Sequence, residues 1–114
     1  MEDASKLQIV FQTLGDANRL KIIKFIGADE CSVSQIVEYT GLSQPLVSHH
    51  LRALREHEIL ETKRQGPFIY YKLKDVRLLD VLGLLLEIFR SSDLKTEEPM
   101  FCSPVWWKSF MSQL

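Results

Sequence analysis

The spacing of apolar residues in the first part of the chain predicts two short helices. Between residues 4 and 14, apolar side chains recur at the i, i+3, i+4 and i+7 positions of one helix face: Leu7, Val10, Phe11 and Leu14. Gly15 is a natural end for this helix, and Asp16 is a favourable N-cap for the next one. The apolar face of the second helix consists of Leu20, Ile23 and Ile26.

Two further helices are predicted from their capping residues. Ser32 and Gln35 have the spacing of a capping box, in which both side chains bond to backbone N–H groups at the helix start. We expect this third helix to end at Gly41. Ser43 then caps a fourth helix with Pro45 in its first turn, where a missing N–H costs nothing. One face of the fourth helix is apolar (Val47, Leu51, Leu54) and the other is polar and basic (Gln44, Ser48, His49, Arg52, Arg55).

After His57 the pattern changes from a helical period to that of strands. The segment ILETKRQGPFIYYKL is rich in β-branched and aromatic residues and is divided by a turn at Gln65–Gly66–Pro67. It predicts a β-hairpin over about 59–64 and 68–73. Residues 75–90 then predict a leucine-rich helix capped by Asp75. Because this helix has more apolar positions than one packing face requires, we expect a second subunit to cover its other side.

Length and composition fit a folded domain. The chain has 114 residues, of which 46% are hydrophobic and 25% charged, as is ordinary for globular proteins. No apolar run approaches the roughly 20 residues needed to cross a bilayer. The acidic N-terminus lacks the basic region and apolar run of a signal peptide. We therefore expect a cytoplasmic protein, in which the two cysteines are thiols.

Charge is segregated along the chain. The net charge is −1, but residues 43–77 carry seven basic and four acidic side chains, whereas the remainder carries seven and eleven. A basic segment within a nearly neutral chain is a feature of proteins that bind nucleic acid.

Together these elements predict a winged helix-turn-helix, a mainly α fold with a β-hairpin wing. A short helix, a tight turn with glycine and a second helix with a polar, basic face are typical of the helix-turn-helix. Side chains near the start of that second helix can reach base edges in the major groove. Basic residues at the wing tip suit phosphates or the minor groove. The predicted DNA contacts are Gln44, Ser48, His49, Arg52, Lys63 and Arg64.

Three segments resemble the ArsR/SmtB family of dimeric winged-helix repressors. They are LGDANRLKIIKFI, CSVSQIVEYTGLSQPLVSHHLRALREHEIL and KRQGPFIYYKL, and the resemblance covers residues 7 to about 90. It implies elements in the order α-α-α-α-β-β-α and a homodimer formed through the first and last helices. It also implies that the dimer binds double-stranded operator DNA and is released by an effector. It assigns base recognition to Gln44, Ser48 and His49.

Family members release DNA when a metal binds or when cysteines react, and two common metal sites lack their ligands here. One site has a Cys-x-Cys at the start of the third helix, where this chain has Ser32 and Ser34. Serine does not hold thiophilic metals. The other pairs Asp and His ligands from the last helix, where this chain has acids but no histidine: Asp75, Asp80 and Glu87. We interpret these carboxylates as helix caps and surface charge.

The two cysteines, Cys31 and Cys102, leave three hypotheses for the effector. In the first hypothesis they form a dithiol switch, in which oxidants or sulfane sulfur would bridge the two thiols. Alternatively, they hold a soft metal or metalloid such as As(III) or Cd(II), with His57 or water as a third donor. In the third hypothesis they are inert, and the effector is something else or is absent. Cys31 precedes a helix N-terminus, which lowers a thiol pKa, whereas Asp29 and Glu30 act in the opposite direction.

Residues 92–114 predict a polar linker and an aromatic extension, separate from a domain of residues 1–91. Ser103 and Pro104 are favourable residues for a helix start, and Trp106 and Trp107 carry large apolar surfaces that proteins seldom leave in water. Two roles stay open. The extension packs on the helical layer of the dimer, or it covers an effector pocket and brings Cys102 to it.

Two other function classes fit the sequence less well. A small enzyme would need a nucleophile with a suitably spaced base, or a phosphate-binding loop, and the chain shows neither pattern. A winged helix used only for contact with other proteins would not need a polar face at Gln44, Ser48 and His49 together with a basic wing.

Overall fold

The computed structural model describes residues 2–90, and the predicted aromatic extension lies outside the described residues. Two units are distinguished by their internal contacts, one ending at Lys74 and one starting at Asp75. The elements are α1 (Glu2–Leu14), α2 (Ala17–Ile26), β1 (Cys31–Ser32), α3 (Val33–Thr40), α4 (Gln44–Glu56), β2 (Leu60–Gln65), β3 (Phe68–Leu73) and α5 (Arg77–Arg90). This order confirms the predicted winged helix-turn-helix and adds one short strand, β1.

The predicted caps are present at the helix starts. The Asp16 carboxylate accepts hydrogen bonds from the backbone N–H groups of Asn18 at 2.8 Å and Arg19 at 3.2 Å. Ser32 and Gln35 form the complete capping box. Asp75 accepts from the backbone N–H of Arg77 at 2.9 Å. Because the first N–H groups of a helix have no partner within it, these side chains fix where each helix begins.

The sheet has three strands in the order β1-β3-β2, and each neighbouring pair is antiparallel. The hairpin formed by β2 and β3 confirms the predicted wing, with β2 displaced by one residue from the predicted range. Its turn contains Gly66 at φ 65°, a left-handed conformation that favours glycine. The strand β1 was not predicted, because two residues are too few to show an alternating pattern. It pairs Cys31 with Tyr71 and Ser32 with Tyr70.

The core of the unit that ends at Lys74 lies among α2, α3, α4 and β2. Its largest fully buried side chains are Ile22, Ile23, Ile26, Ile36, Val47, Leu51, Leu54 and Leu60. Burial of each such side chain contributes about 1.5–3 kcal/mol to folding. The apolar face of α4 packs into this core, so the polar face of α4 is directed outwards.

Both α1 and α5 leave apolar side chains exposed. On α1, Leu7 and Phe11 are 54% and 57% exposed, although the apolar stripe to which they belong ends in the buried Leu14. On α5, Val81 and Leu84 are 51% and 57% exposed. The exposed side chains of α5 fit the predicted excess of apolar positions on that helix, which the rest of residues 2–90 leaves uncovered. Within residues 2–90, no helix is both long enough and apolar enough to cross a membrane.

Candidate nucleic-acid interface

A turn of three residues joins α3 to α4 and sets the geometry of the helix-turn-helix. Gly41 ends α3 in the left-handed region at φ 74°, and its N–H donates to the carbonyl oxygen of Val37. Leu42 follows, with its N–H bonded to the Thr40 hydroxyl at 3.2 Å. Ser43 then caps α4 by accepting from the N–H of Leu46 at 3.3 Å. Glycine tolerates this conformation better than other residues, so it permits the sharp change of direction.

The two faces of α4 separate as the sequence predicts. Val47, Leu51 and Leu54 are at most 1% exposed. The predicted contacts on the opposite face are all exposed: Gln44, Ser48, His49 and Arg52. Within residues 2–90, none of these four side chains is engaged in a salt bridge or a side-chain hydrogen bond, so their polar groups are available to DNA. The exposed face therefore has the donors and acceptors that can read base edges.

His50 belongs to the buried face of α4 and not to the polar one. It is 5% exposed, and its Nδ1 accepts a hydrogen bond from Nε of Arg19 at 3.1 Å. Burial lowers the pKa of His50 below its ordinary value. Adjacent histidines on a helix point about 100° apart, which explains why His49 is exposed while His50 is buried.

The wing has an ionic contact that the sequence did not predict. Nζ of Lys63 lies 3.1 Å from a carboxylate oxygen of Glu30, in the segment between α2 and β1. Arg64 is exposed near the wing tip, and no side chain among residues 2–90 forms a salt bridge with it. Exposed ion pairs of this kind contribute only about 0–1 kcal/mol. A phosphate group can therefore compete with Glu30 for Lys63.

Cys31 is buried, which the sequence did not indicate. It lies in β1, is 7% exposed, and has a raised pKa because burial disfavours the thiolate, with a smaller effect from the charge of Asp29. The sequence set a lowering by the nearby helix start against a raising by the neighbouring acids, and the structure adds burial, which raises this pKa together with Asp29. An open recess of about 650 Å³ lies beside Cys31, and Gln35 and Tyr70 also line it. The other predicted thiol, Cys102, lies outside the described residues.

The interpretation of the carboxylates at the last helix as caps and surface charge is supported for Asp75, which lies just before the start of α5. Asp75 accepts from the guanidinium of Arg77 at 2.6 Å and 3.1 Å. The hydrogen bonds from Arg77 lower the pKa of Asp75 to about 2. Among residues 2–90 there is no group of three or more His, Cys, Asp or Glu side chains that could hold a metal ion.

A basic wing beside a helix-turn-helix with a polar recognition face defines the winged helix-turn-helix class of DNA-binding proteins. Residues 16–62 match the model of the bacterial regulatory proteins of the arsR family. The chain belongs to this family and is a DNA-binding transcriptional regulator.

Relatives of known sequence and structure agree with this assignment. The chain is 32% identical over 84 residues to the transcriptional repressor SdpR of Bacillus subtilis (strain 168), which covers 74% of this chain and 93% of SdpR. It is 30% identical over 88 residues to the arsenical resistance operon repressor of Staphylococcus xylosus, with 77% and 84% covered. The crystal structure of NolR from Sinorhizobium fredii matches with a TM-score of 0.69 at 30% identity, over 77% of this chain and 88% of NolR.

Proposed function

We propose that the protein is a homodimeric transcriptional repressor that binds a two-fold operator. In this proposal α4 lies in the major groove, where Gln44, Ser48 and His49 read base edges, while Arg52 contacts the backbone. Lys63 and Arg64 of the wing contact phosphates or the minor groove next to it. The observation that carries the proposal is the separation of faces on α4, with a buried apolar side and an exposed polar one.

The homodimer is supported by the exposed apolar side chains of the first and last helices. Leu7 and Phe11 on α1, and Val81 and Leu84 on α5, are each more than half exposed. Large apolar side chains that are exposed together on a helix are typical of surfaces that a partner covers. A second copy of the chain is the simplest partner, because two recognition helices related by a two-fold axis match two operator half-sites.

The test of the operator proposal is a double substitution of Ser48→Ala and His49→Ala. Binding is measured by fluorescence anisotropy on a duplex that the wild-type protein has selected from a random pool, and on a scrambled duplex. We expect the variant to lose its preference for the selected duplex and keep its affinity for the scrambled one, because phosphate contacts carry no sequence information. An unchanged preference would remove both residues from the recognition surface.

For the effector, we infer that Cys31 does not act as a reactive thiolate in this conformation. Its burial and raised pKa favour the hypothesis in which the effector is not sensed through that thiolate. A soft metalloid stays a candidate, since thiolate ligands lose their proton on binding and one relative is an arsenical resistance operon repressor. Such a site would require Cys102 or a partner subunit to supply further donors.

The effector is tested by release of the selected duplex in the presence of peroxide, persulfide, As(III) or Cd(II). The wild type is compared with Cys31→Ser and Cys102→Ser. Release by one of these agents that either variant abolishes would support thiol-based sensing. If both variants respond as the wild type does to every agent that works, the thiols play no part in sensing.

A further inference from the structure

Arg19 joins three helices through one side chain. It lies in the first turn of α2, where its backbone N–H donates to the Asp16 carboxylate at 3.2 Å. Its Nε donates to Nδ1 of His50 on α4 at 3.1 Å, and its Nη1 donates to the carbonyl oxygen of Thr13 near the end of α1 at 3.1 Å. The guanidinium therefore connects the junction of α1 and α2 with the middle of the recognition helix.

His50 is the polar member of the buried face of α4. Its buried neighbours on that face, Val47 and Leu51, have apolar side chains, and the hydrophobic effect that stabilises them has no directional preference. A hydrogen bond, in contrast, weakens steeply when its angle departs from linear. The bond from Arg19 therefore adds a directional restraint on rotation of α4 about its axis.

We propose that Arg19 and His50 are positioning residues for operator recognition, because their hydrogen bond fixes the rotation of α4 and so the direction in which Ser48 and His49 face. The proposal rests on the proposed function, in which those two side chains contact base edges. His49 directly precedes His50 in the chain, so a small rotation at His50 displaces His49 by a similar angle. Direct readout depends on hydrogen-bond geometry, and the loss of alignment should lower specific affinity before non-specific affinity.

The same bond makes recognition dependent on pH. Nδ1 can accept from Arg19 only while His50 is neutral, with its proton on Nε2. When His50 is protonated, two donors and two positive charges face each other. Burial, Arg19 and His49 all favour the neutral form and Asp16 opposes them, so that the pKa of His50 is lowered. The bond is therefore intact at neutral pH and is lost as the pH falls below the ordinary histidine range.

The experiment compares three substitutions with a matched control. His50→Leu removes the acceptor. Arg19→Lys keeps the charge but has one ammonium nitrogen in place of the two guanidinium nitrogens that bond to His50 and Thr13. His50→Gln offers an amide oxygen in place of Nδ1 and does not titrate. His57→Gln is the control, because His57 is an exposed histidine at the end of the same helix. Each is measured on the selected and scrambled duplexes between pH 5 and 8, with urea denaturation to establish that it is folded.

We expect His50→Leu and Arg19→Lys to lose about tenfold in affinity for the selected duplex at pH 7.5, and little for the scrambled one. His50→Gln should bind the selected duplex within about twofold of the wild type, and its affinity should fall less on the acid side. His57→Gln should follow the wild-type pH profile. This pattern would distinguish positioning from a contribution to stability alone.

Two results would overturn the inference and leave the proposed function in place. In one, the folded variants prefer the selected duplex as strongly as the wild type does. In the other, both duplexes lose affinity in parallel with stability, which would leave Arg19 and His50 with a structural role only. A wild type that prefers no duplex over any other would instead remove the proposed function, and the inference with it.

Discussion

At the scale of single residues, Cys31 shows that sequence neighbours do not determine the chemistry of a side chain. A helix start follows it directly, which lowers a thiol pKa, whereas the neighbouring Asp29 and Glu30 act in the opposite direction. The structure buries Cys31 in β1 opposite Tyr71, and burial, together with Asp29, raises the pKa. Burial is the larger cause because a buried thiolate would lose its contact with water.

We predict that Cys31 reacts slowly in the folded protein. In a Cys102→Ser background, the rate of alkylation by iodoacetamide at pH 8 should be at least about tenfold lower than in guanidinium, because the folded state holds less thiolate and shields it. Asp29→Asn should raise the folded rate only slightly, since burial is the larger cause of the shift. Equal rates in folded and unfolded protein would show that the thiol is accessible.

At the scale of elements, the start of α3 depends on a reciprocal pair of side chains. Gln35 N–H donates to the Ser32 hydroxyl at 3.3 Å, and Ser32 N–H donates to the Gln35 side chain at 2.9 Å. We predict that Ser32→Ala lowers the free energy of unfolding by about 1 kcal/mol. Ser34→Ala is the control, because Ser34 lies exposed in the same turn without a capping role. Urea denaturation that gives equal losses for both variants would contradict this assignment.

The wing is expected to contribute affinity without selectivity. We predict that Lys63→Ala and Arg64→Ala each weaken binding to selected and scrambled duplexes alike. Each should reduce the slope of log affinity against log salt by about one, since one phosphate contact is lost. Glu30→Gln should act in the opposite direction by releasing Lys63 from its ion pair. A loss confined to the selected duplex would instead indicate that the wing reads bases.

The five helices and the hairpin could be predicted from the sequence because their signals are local, whereas β1 could not. A cap and its partner lie three residues apart, and the two faces of α4 follow from helical periodicity. The contacts that were missed join distant residues: Glu30 to Lys63 across 33 positions, and Arg19 to His50 across 31. Such pairs depend on how the helices and sheet pack. Helical periodicity places position 50 on the same side of α4 as Val47, Leu51 and Leu54, but it does not identify Arg19 as the partner of His50.

At the scale of the whole molecule, the proposed homodimer depends on apolar side chains of α1 and α5. We predict that Leu84→Glu raises the dissociation constant of the dimer by about tenfold or more, because a buried carboxylate replaces an apolar contact. Analytical ultracentrifugation measures this change. Ile69→Glu is the control, since Ile69 is an exposed apolar residue of the wing. A Leu84→Glu protein that associates as the wild type does would place the interface elsewhere.

The short strand β1 has a consequence for the length of DNA that the protein can read. It leads directly into α3 and is paired with β3, so the helix-turn-helix and the wing share one sheet. In the proposed complex this pairing would restrain the wing relative to α3, so the span between groove and wing contacts would vary little. Successive base pairs lie about 3.4 Å apart, so one extra base pair within a half-site would leave either the groove or the wing contacts unmatched.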